Sequence, residues 1–204
     1  MIVYSGSFNP ITRGHVSVIN SLLTHFDDDD LLICPMGDFY PKDNLCSLSH
    51  RVVMIQKTLE SCNIKTSRVK ILEEINDIFT LETYSLLNLG KYVRGRYNES
   101  VILVIGMDNL ENLKRWENNI ELLNNFKLLV MPRDGYDFNS IINDSTLLKD
   151  YYLNKSNIIY CNFNLEMTAS SRFRKNLKNS NPDKLEDDCY SETIEYVIKN
   201  NLYR

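Results

Sequence analysis

Short apolar runs alternate along this chain with longer stretches in which apolar residues recur every three or four positions. The short runs are "IVYS" at 2, "LLICP" at 31, "VKILEE" at 69, "VILVIG" at 101, "KLLVMP" at 127 and "NIIYC" at 157. They are rich in Val, Ile and Leu and do not alternate with polar residues, which predicts buried strands. The longer stretches cover 13–25, 47–62, 80–96, 107–125 and 138–153. Their apolar residues fall near i, i+3, i+4, as in Val52, Ile55, Leu59 and Leu81, Tyr84, Leu87, which predicts amphipathic helices. Two more helices, near 170–179 and 191–200, close the chain. Strand and helix in alternation imply a parallel sheet with right-handed crossovers.

The punctuation is uneven. Gly6, Gly37, Gly106 and Gly135 follow predicted strands closely, as do Pro10, Pro35, Pro41 and Pro132, and Gly14 lies in the first turn of the first helix. Glycine lets backbone approach a ligand, proline fixes loops, and open parallel sheets bind ligands beyond the carboxyl ends of their strands. The special residues therefore share one rim.

Length and composition narrow the partners. The 204 residues, 43% of them apolar, suffice for a sizeable core, and one domain over 1–204 is the expectation, with a C-terminal helical part from about 168. A net charge of -4 argues against nucleic acid as a partner, so any anion site must be local. Met1 to Tyr4 lead straight into the first turn and no apolar run approaches ~20 residues, so neither a signal peptide nor a membrane span is expected, and the cytoplasm is the expected location. Cys34, Cys46, Cys62, Cys161 and Cys189 contain no C-x-x-C pair and suit reduced, packed thiols. "DDDD" at 27–30 reads as a solvated loop, and no metal-ligand cluster or Ser/His/Asp arrangement is apparent. Oligomeric state, a homo-oligomer included, stays open.

Several segments carry candidate chemistry. In "GSFNPITRGH" a glycine directly after the first strand can expose N–H groups, and Thr12 to His15 open a helix whose unsatisfied N–H groups and dipole favour a phosphate. His15 and Thr12 can add side-chain donors. The same residues also read as an ordinary turn in which Thr12 caps the helix and His15 is a partly buried helix residue. Lys42, in "CPMGDFYPKDNL", is a flexible cation able to reach phosphate. Thr80 is expected to cap a helix after the third strand. In "VIGMDNLENLKRW" Gly106 permits a turn, Asp108 can accept hydroxyl protons, and Trp116 offers a flat face whose polar neighbours suggest partial exposure. Arg133 in "MPRDGYD" is a further phosphate partner, and "TASSRFRKNLK" sets Arg172, Arg174, Lys175 and Lys178 on one hydroxyl-opened helix without an acid.

These strings together resemble the nucleotidylyltransferase superfamily. "GSFNPITRGH" matches its G-x-F-x-P-x-[HT]-x-G-H signature, and "CPMGDFYPKDNL" with "HRVVM" is similar to the P-x-G-D-x-Y-x-K loop and H-R-x-x-M helix of the pyridine mononucleotide adenylyltransferases. "IFTLETYSLL", "VIGMDNLENLKRW", "MPRDGYD" and the closing "EYVIKNNLY" resemble later segments of that family. "TASSRFRKNLK" is similar to I-S-[SAT]-T-x-[IV]-R, with Ala169 in place of the usual first serine.

The resemblance implies a Rossmann-like, doubly wound α/β fold with a mainly parallel sheet of about six strands and helices on both faces. It implies transfer of AMP from ATP to nicotinate or nicotinamide mononucleotide, with Mg²⁺ held mainly by the substrate phosphates. It gives His15, Lys42 and Arg174 catalytic roles. ATP would meet Gly6, Ser7, Phe8, Thr12, His15, Gly106, Asp108, Ser170, Ser171 and Arg174. The mononucleotide would meet Ser7, Phe8, Lys42, Thr80, Trp116 and Arg133. Which pyridine base is preferred stays open, because the loops mix features of both types. Two alternatives remain: pantetheine-phosphate adenylyltransferases share T-x-G-H, and a nucleotide-binding module could keep the fold without turnover.

Overall fold

The computed structural model describes residues 1–64, 66–179 and 181–203. Every predicted apolar run forms a strand: β1 (Ile2–Gly6), β2 (Leu31–Pro35), β3 (Val69–Ile71), β4 (Ile102–Gly106), β5 (Lys127–Met131) and β6 (Ile158–Tyr160). They form one parallel sheet in the order β3-β2-β1-β4-β5-β6, the doubly wound arrangement expected of a Rossmann-like fold. Val3, Leu32, Ile33, Leu103 and Leu128 to Val130 lose all their surface, as strands covered on both faces require. The strand order reverses between β1 and β4, which end on Gly6 and Gly106.

The helices are α1 (Arg13–His25), α2 (Leu48–Ser61), α3 (Ile75–Ile78), α4 (Leu86–Tyr97), α5 (Met107–Leu113), α6 (Asn119–Asn125), α7 (Phe138–Asn143), α8 (Thr146–Leu153), α9 (Ser170–Lys178) and α10 (Ser191–Lys199). The first two and the last two match the expected stretches. Three differ from it.

The stretch expected to be helical from 80 begins only at Leu86, because Ser85 is the N-cap, its hydroxyl accepting from the Asn88 N–H at 3.1 Å. Leu81, counted into the apolar stripe, is instead half exposed. The predicted 107–125 helix is cut in two. The Asn119 side chain donates to the carbonyls of Leu113 and Lys114, ending α5, and Asn118 takes a left-handed φ of 59° before α6. Residues 138–153 also divide, each half receiving its own cap: Asp137 accepts from the Ser140 N–H and Ser145 from the Leu148 N–H.

By backbone contacts the chain groups into two compact units. One holds Met1–Ser5 and Glu82–Asn164, the other Gly6–Leu81 and Leu165–Arg204. Among the described residues no helix is long and apolar enough to cross a membrane. None of the five cysteines forms a disulfide. Burial pushes the thiols of Cys34 and Cys189 up and that of Cys161 up to about 11, so they stay protonated at neutral pH.

Candidate active site

The loop after β1 is built around a buried ring and a buried amide. Phe8, expected to line a ligand site, has no exposed surface; its ring stands 4.9 Å from that of His15, so it backs the histidine. The Phe8 backbone takes a φ of 43°, a left-handed conformation that costs a side-chain-bearing residue about 1–2 kcal/mol and persists only where packing enforces it. Asn9 is equally buried. Its Oδ1 accepts from the Cys46 N–H at 3.0 Å and the Tyr203 hydroxyl at 2.9 Å, and its Nδ2 donates to the Asn44 carbonyl.

At the start of α1, Thr12 and His15 form a reciprocal cap. The Thr12 N–H reaches His15 Nδ1 at 3.0 Å, and the Thr12 hydroxyl lies 2.7 Å from the same nitrogen. An N–H can only donate, so Nδ1 is an acceptor, the hydroxyl donates to it as well, and the ring proton belongs on Nε2. Thr12 is buried and its oxygen accepts from the His15 N–H, so it orients His15 rather than presenting a hydroxyl of its own.

The remaining donors of that first turn are also taken. Arg13 N–H donates to the Asp188 carbonyl at 2.8 Å and Gly14 N–H to Thr168 Oγ1 at 2.7 Å. The phosphate seat expected on the N–H groups of α1 is therefore filled by the chain itself. Gly14 has to be glycine for this closure, since a Cβ there would sit 2.6 Å from the Glu166 carbonyl oxygen. Arg13 secures the same segment, donating from Nε to the Glu186 carbonyl and lying over the Tyr190 ring.

The other basic helix is open. Ala169 is the N-cap of α9 and offers no side-chain oxygen, and among the described residues no protein group accepts from the N–H groups of Ser170, Ser171 or Arg172. The helix is docked on the β1 loop by Ser170 Oγ donating to the Pro10 carbonyl at 2.8 Å and Arg174 Nη1 donating to the Asn9 carbonyl at 2.6 Å. The segment is less basic than its sequence suggests. Arg172 is paired through Nε and Nη2 with the buried carboxylate of Asp188, whose Oδ1 also accepts from the Ala169 N–H.

Lys42 and Ser7 meet: Lys42 Nζ donates to Ser7 Oγ at 2.8 Å. Beneath them lies Arg51, fully buried, which donates to the carbonyls of Cys46 and Ser7 and to Asp38. Burial pulls its pKa down, and the Asp38 carboxylate opposes that shift. From sequence, Arg51 has no assigned role, although it stands in the "HRVVM" string, and Asp188 is not singled out. A signal existed for Arg51, since Leu48, Arg51, Val52, Ile55 and Leu59 form one helical stripe, which puts a charge where a core side chain belongs.

In the other unit, Gly106 precedes α5 and a Cβ on it would come within 2.5 Å of Asp108 Oδ1. Asp108 Oδ1 is the sole buried side-chain nitrogen or oxygen without a hydrogen-bond partner among the described residues. Its Oδ2 faces Arg133 Nη1 at 3.4 Å, a long contact to an exposed side chain. Trp116 is half-buried on the connection between α5 and α6 rather than within a helix. Thr80, in the unit with His15, is exposed and does not begin a helix. Among the described residues no three His, Cys, Asp or Glu side chains gather as a metal site.

Residues 3–176 match the cytidylyltransferase-like family. An Acholeplasma laidlawii protein named "probable nicotinate-nucleotide adenylyltransferase" is 30% identical over 206 residues, covering 100% of this chain and 97% of the relative. A Fusobacterium nucleatum protein of the same name is 32% identical over 179 residues, 87% of this chain and 86% of the relative. Among solved structures, the Plasmodium falciparum nicotinic acid mononucleotide adenylyltransferase complexed with NaAD superposes with a TM-score of 0.77 at 20% identity, covering 99% of this chain and 96% of that one. At that identity the likeness speaks for the fold.

Proposed function

Since the chain belongs to the cytidylyltransferase-like family, we propose that it is an adenylyltransferase of NAD biosynthesis, moving AMP from ATP to nicotinate or nicotinamide mononucleotide and releasing pyrophosphate. Relatives 30% and 32% identical that carry the nicotinate name favour the acid. The observation that carries the chemistry is the open N-terminus of α9, three N–H donors next to Arg174, fastened to the loop after β1. Five cysteines without a disulfide fit a reducing cytoplasm.

The attacking group is a phosphate that is already an anion, so it needs no general base. It needs alignment with the α-phosphorus of ATP and relief from the repulsion between two anions. His15, oriented by Thr12, donates from Nε2 to the α-phosphate region, where charge builds in the transition state. Lys42, held at Ser7, takes the phosphate of the mononucleotide. Arg174 with the N–H groups of Ser170, Ser171 and Arg172 takes the leaving pyrophosphate.

A Cβ on Gly6 would meet nothing closer than the Phe8 ring at 3.4 Å, an ordinary contact, so close approach of a ligand explains the glycine better than any protein neighbour does. The orphaned Oδ1 of Asp108 suits a ribose hydroxyl that donates to it, Arg133 suits a phosphate, and Trp116 suits ring stacking. Thr80 is assigned to the mononucleotide on resemblance alone. The donors on the phosphate side are cations, hydroxyls and N–H groups, which fits Mg²⁺ carried mainly by phosphate oxygens and water. When bound, the ion would neutralise phosphate charge.

The test is pyrophosphate release from Mg-ATP with nicotinate mononucleotide, nicotinamide mononucleotide and phosphopantetheine in parallel, alongside calorimetric titration of Mg-ATP. Turnover with a pyridine mononucleotide is expected. Turnover with phosphopantetheine alone, or ATP binding without any product, would overturn the proposal.

A further inference from the structure

Arg51 has no assigned role in the transfer, yet its position is hard to account for by packing. Its side chain has no exposed surface, and a buried cation is tolerated only when well paired, whereas an apolar side chain at this place in the α2 stripe would carry no such cost. The three arms of the guanidinium point to three places. Nε donates to the Cys46 carbonyl at 2.7 Å, Nη2 to Asp38 Oδ1 at 3.0 Å and Nη1 to the Ser7 carbonyl at 3.1 Å.

Asp38 and Cys46 are the two ends of the segment that carries Lys42, and Ser7 is the residue whose hydroxyl Lys42 meets at 2.8 Å. One planar fork thus fixes both feet of the lysine loop and the backbone opposite its tip. Each foot has a second tie. Asp38 Oδ1 also accepts from the Leu48 N–H at 2.7 Å, Asp38 Oδ2 accepts from Asn76 Nδ2, and the Cys46 N–H donates to Asn9 Oδ1.

We propose that Arg51 is a positioning residue, which acts through Lys42 by setting the distance between the Asp38–Cys46 loop and Ser7. It touches no substrate. A lysine in its place would keep the charge and lose the geometry, because an ammonium on a flexible stem does not present three coplanar donors in fixed directions. The inference rests on the assignment of Lys42 to the mononucleotide phosphate.

The test is a double-mutant cycle of Arg51→Lys with Lys42→Ala, read as kcat/KM for nicotinate mononucleotide, together with amide hydrogen exchange on the ligand-free proteins. Arg51→Lys alone is expected to lower kcat/KM by about 30-fold, as a misplaced catalytic group does. In the Lys42→Ala background it should change kcat/KM by less than about twofold, since coupled residues are non-additive. Amides of residues 38–46 should exchange about tenfold faster in Arg51→Lys, with those of β4 and β5 unchanged.

Multiplicative losses in the cycle, or wild-type kinetics and exchange in Arg51→Lys, would overturn the proposal. Should Arg51→Lys fail to fold, Asp38→Asn, which weakens one arm at a half-exposed carboxylate, takes its place in the same cycle with the same two outcomes. A folded wild type that turns over no pyridine mononucleotide would defeat the functional assignment instead, and the exchange measurement would still decide whether Arg51 holds the loop.

Discussion

Two helices of this protein begin next to the same loop, and their N-termini have opposite fates. The first turn of α1 gives its N–H groups to Thr12, Thr168 and Asp188, so nothing there awaits an anion. The first turn of α9 begins at an alanine and leaves the N–H groups of Ser170, Ser171 and Arg172 unclaimed among the described residues. Helix polarity is the same in both. What differs is the supply of acceptors in the rest of the chain, so a helix start is an anion site only to the extent that its donors are unspent. On the proposed reading, α1 contributes a positioned side chain, His15, while α9 contributes backbone N–H groups beside Arg174.

The largest effect should come from the side chain on the closed helix. His15→Ala is expected to lower kcat by about 10²-fold or more with thermal stability retained, since it removes a transition-state donor; normal turnover would take His15 out of the chemistry. Next, Arg174→Ala should reduce kcat/KM by roughly 30-fold. Its effect should fall on ATP more than on the mononucleotide, and equal rises in both KM values would separate Arg174 from the triphosphate.

Thr168→Val tests the closed end directly. Loss of the hydroxyl that accepts from Gly14 should cost about 1 kcal/mol in denaturant unfolding and leave kcat within about threefold. A large drop in kcat with unchanged stability would mean that Thr168 serves the substrate instead. The gentlest probe is titration with pyrophosphate followed by amide NMR. Shifts are expected at Ser171 and Arg172 with Gly14 silent, and a Gly14 shift of equal size would erase the distinction between the two helices.

The strands were legible because unbroken Val, Ile and Leu runs have no other comfortable place than a covered sheet, and the extent of α1 followed from its apolar spacing. Helix breaks inside 107–125 and 138–153 were not legible. Each depends on a polar side chain, Asn119 or Ser145, choosing a backbone partner over solvent, and that choice is invisible to periodicity. The candidate site shows the same limit. Residue types in the motifs pointed to His15, Lys42 and Arg174, and the geometry brings all three to the Ser7–Pro10 loop or next to it.

Sequence also suggested a phosphate on α1, because it displays donors but not the distant oxygens that consume them. Nor did it show that Arg172 is neutralised, since Asp188 lies outside the basic segment. For Thr12 both accounts were available from the start, and the cap prevailed because His15 Nδ1 answers it from the third residue of the helix.

The closure of α1 also bears on how the chain is made. The Gly14 N–H waits for an oxygen 154 positions downstream, and the Arg13 N–H for the carbonyl of Asp188, further along still. Those acceptors are synthesised at least 154 residues after the donors, so until then the nascent segment begins its first turn with two partners missing. Stalled chains released short of residue 165 should accordingly be clipped by protease within 12–25 well before the finished protein is; equal resistance would show that the late-arriving segment is not what secures the early one.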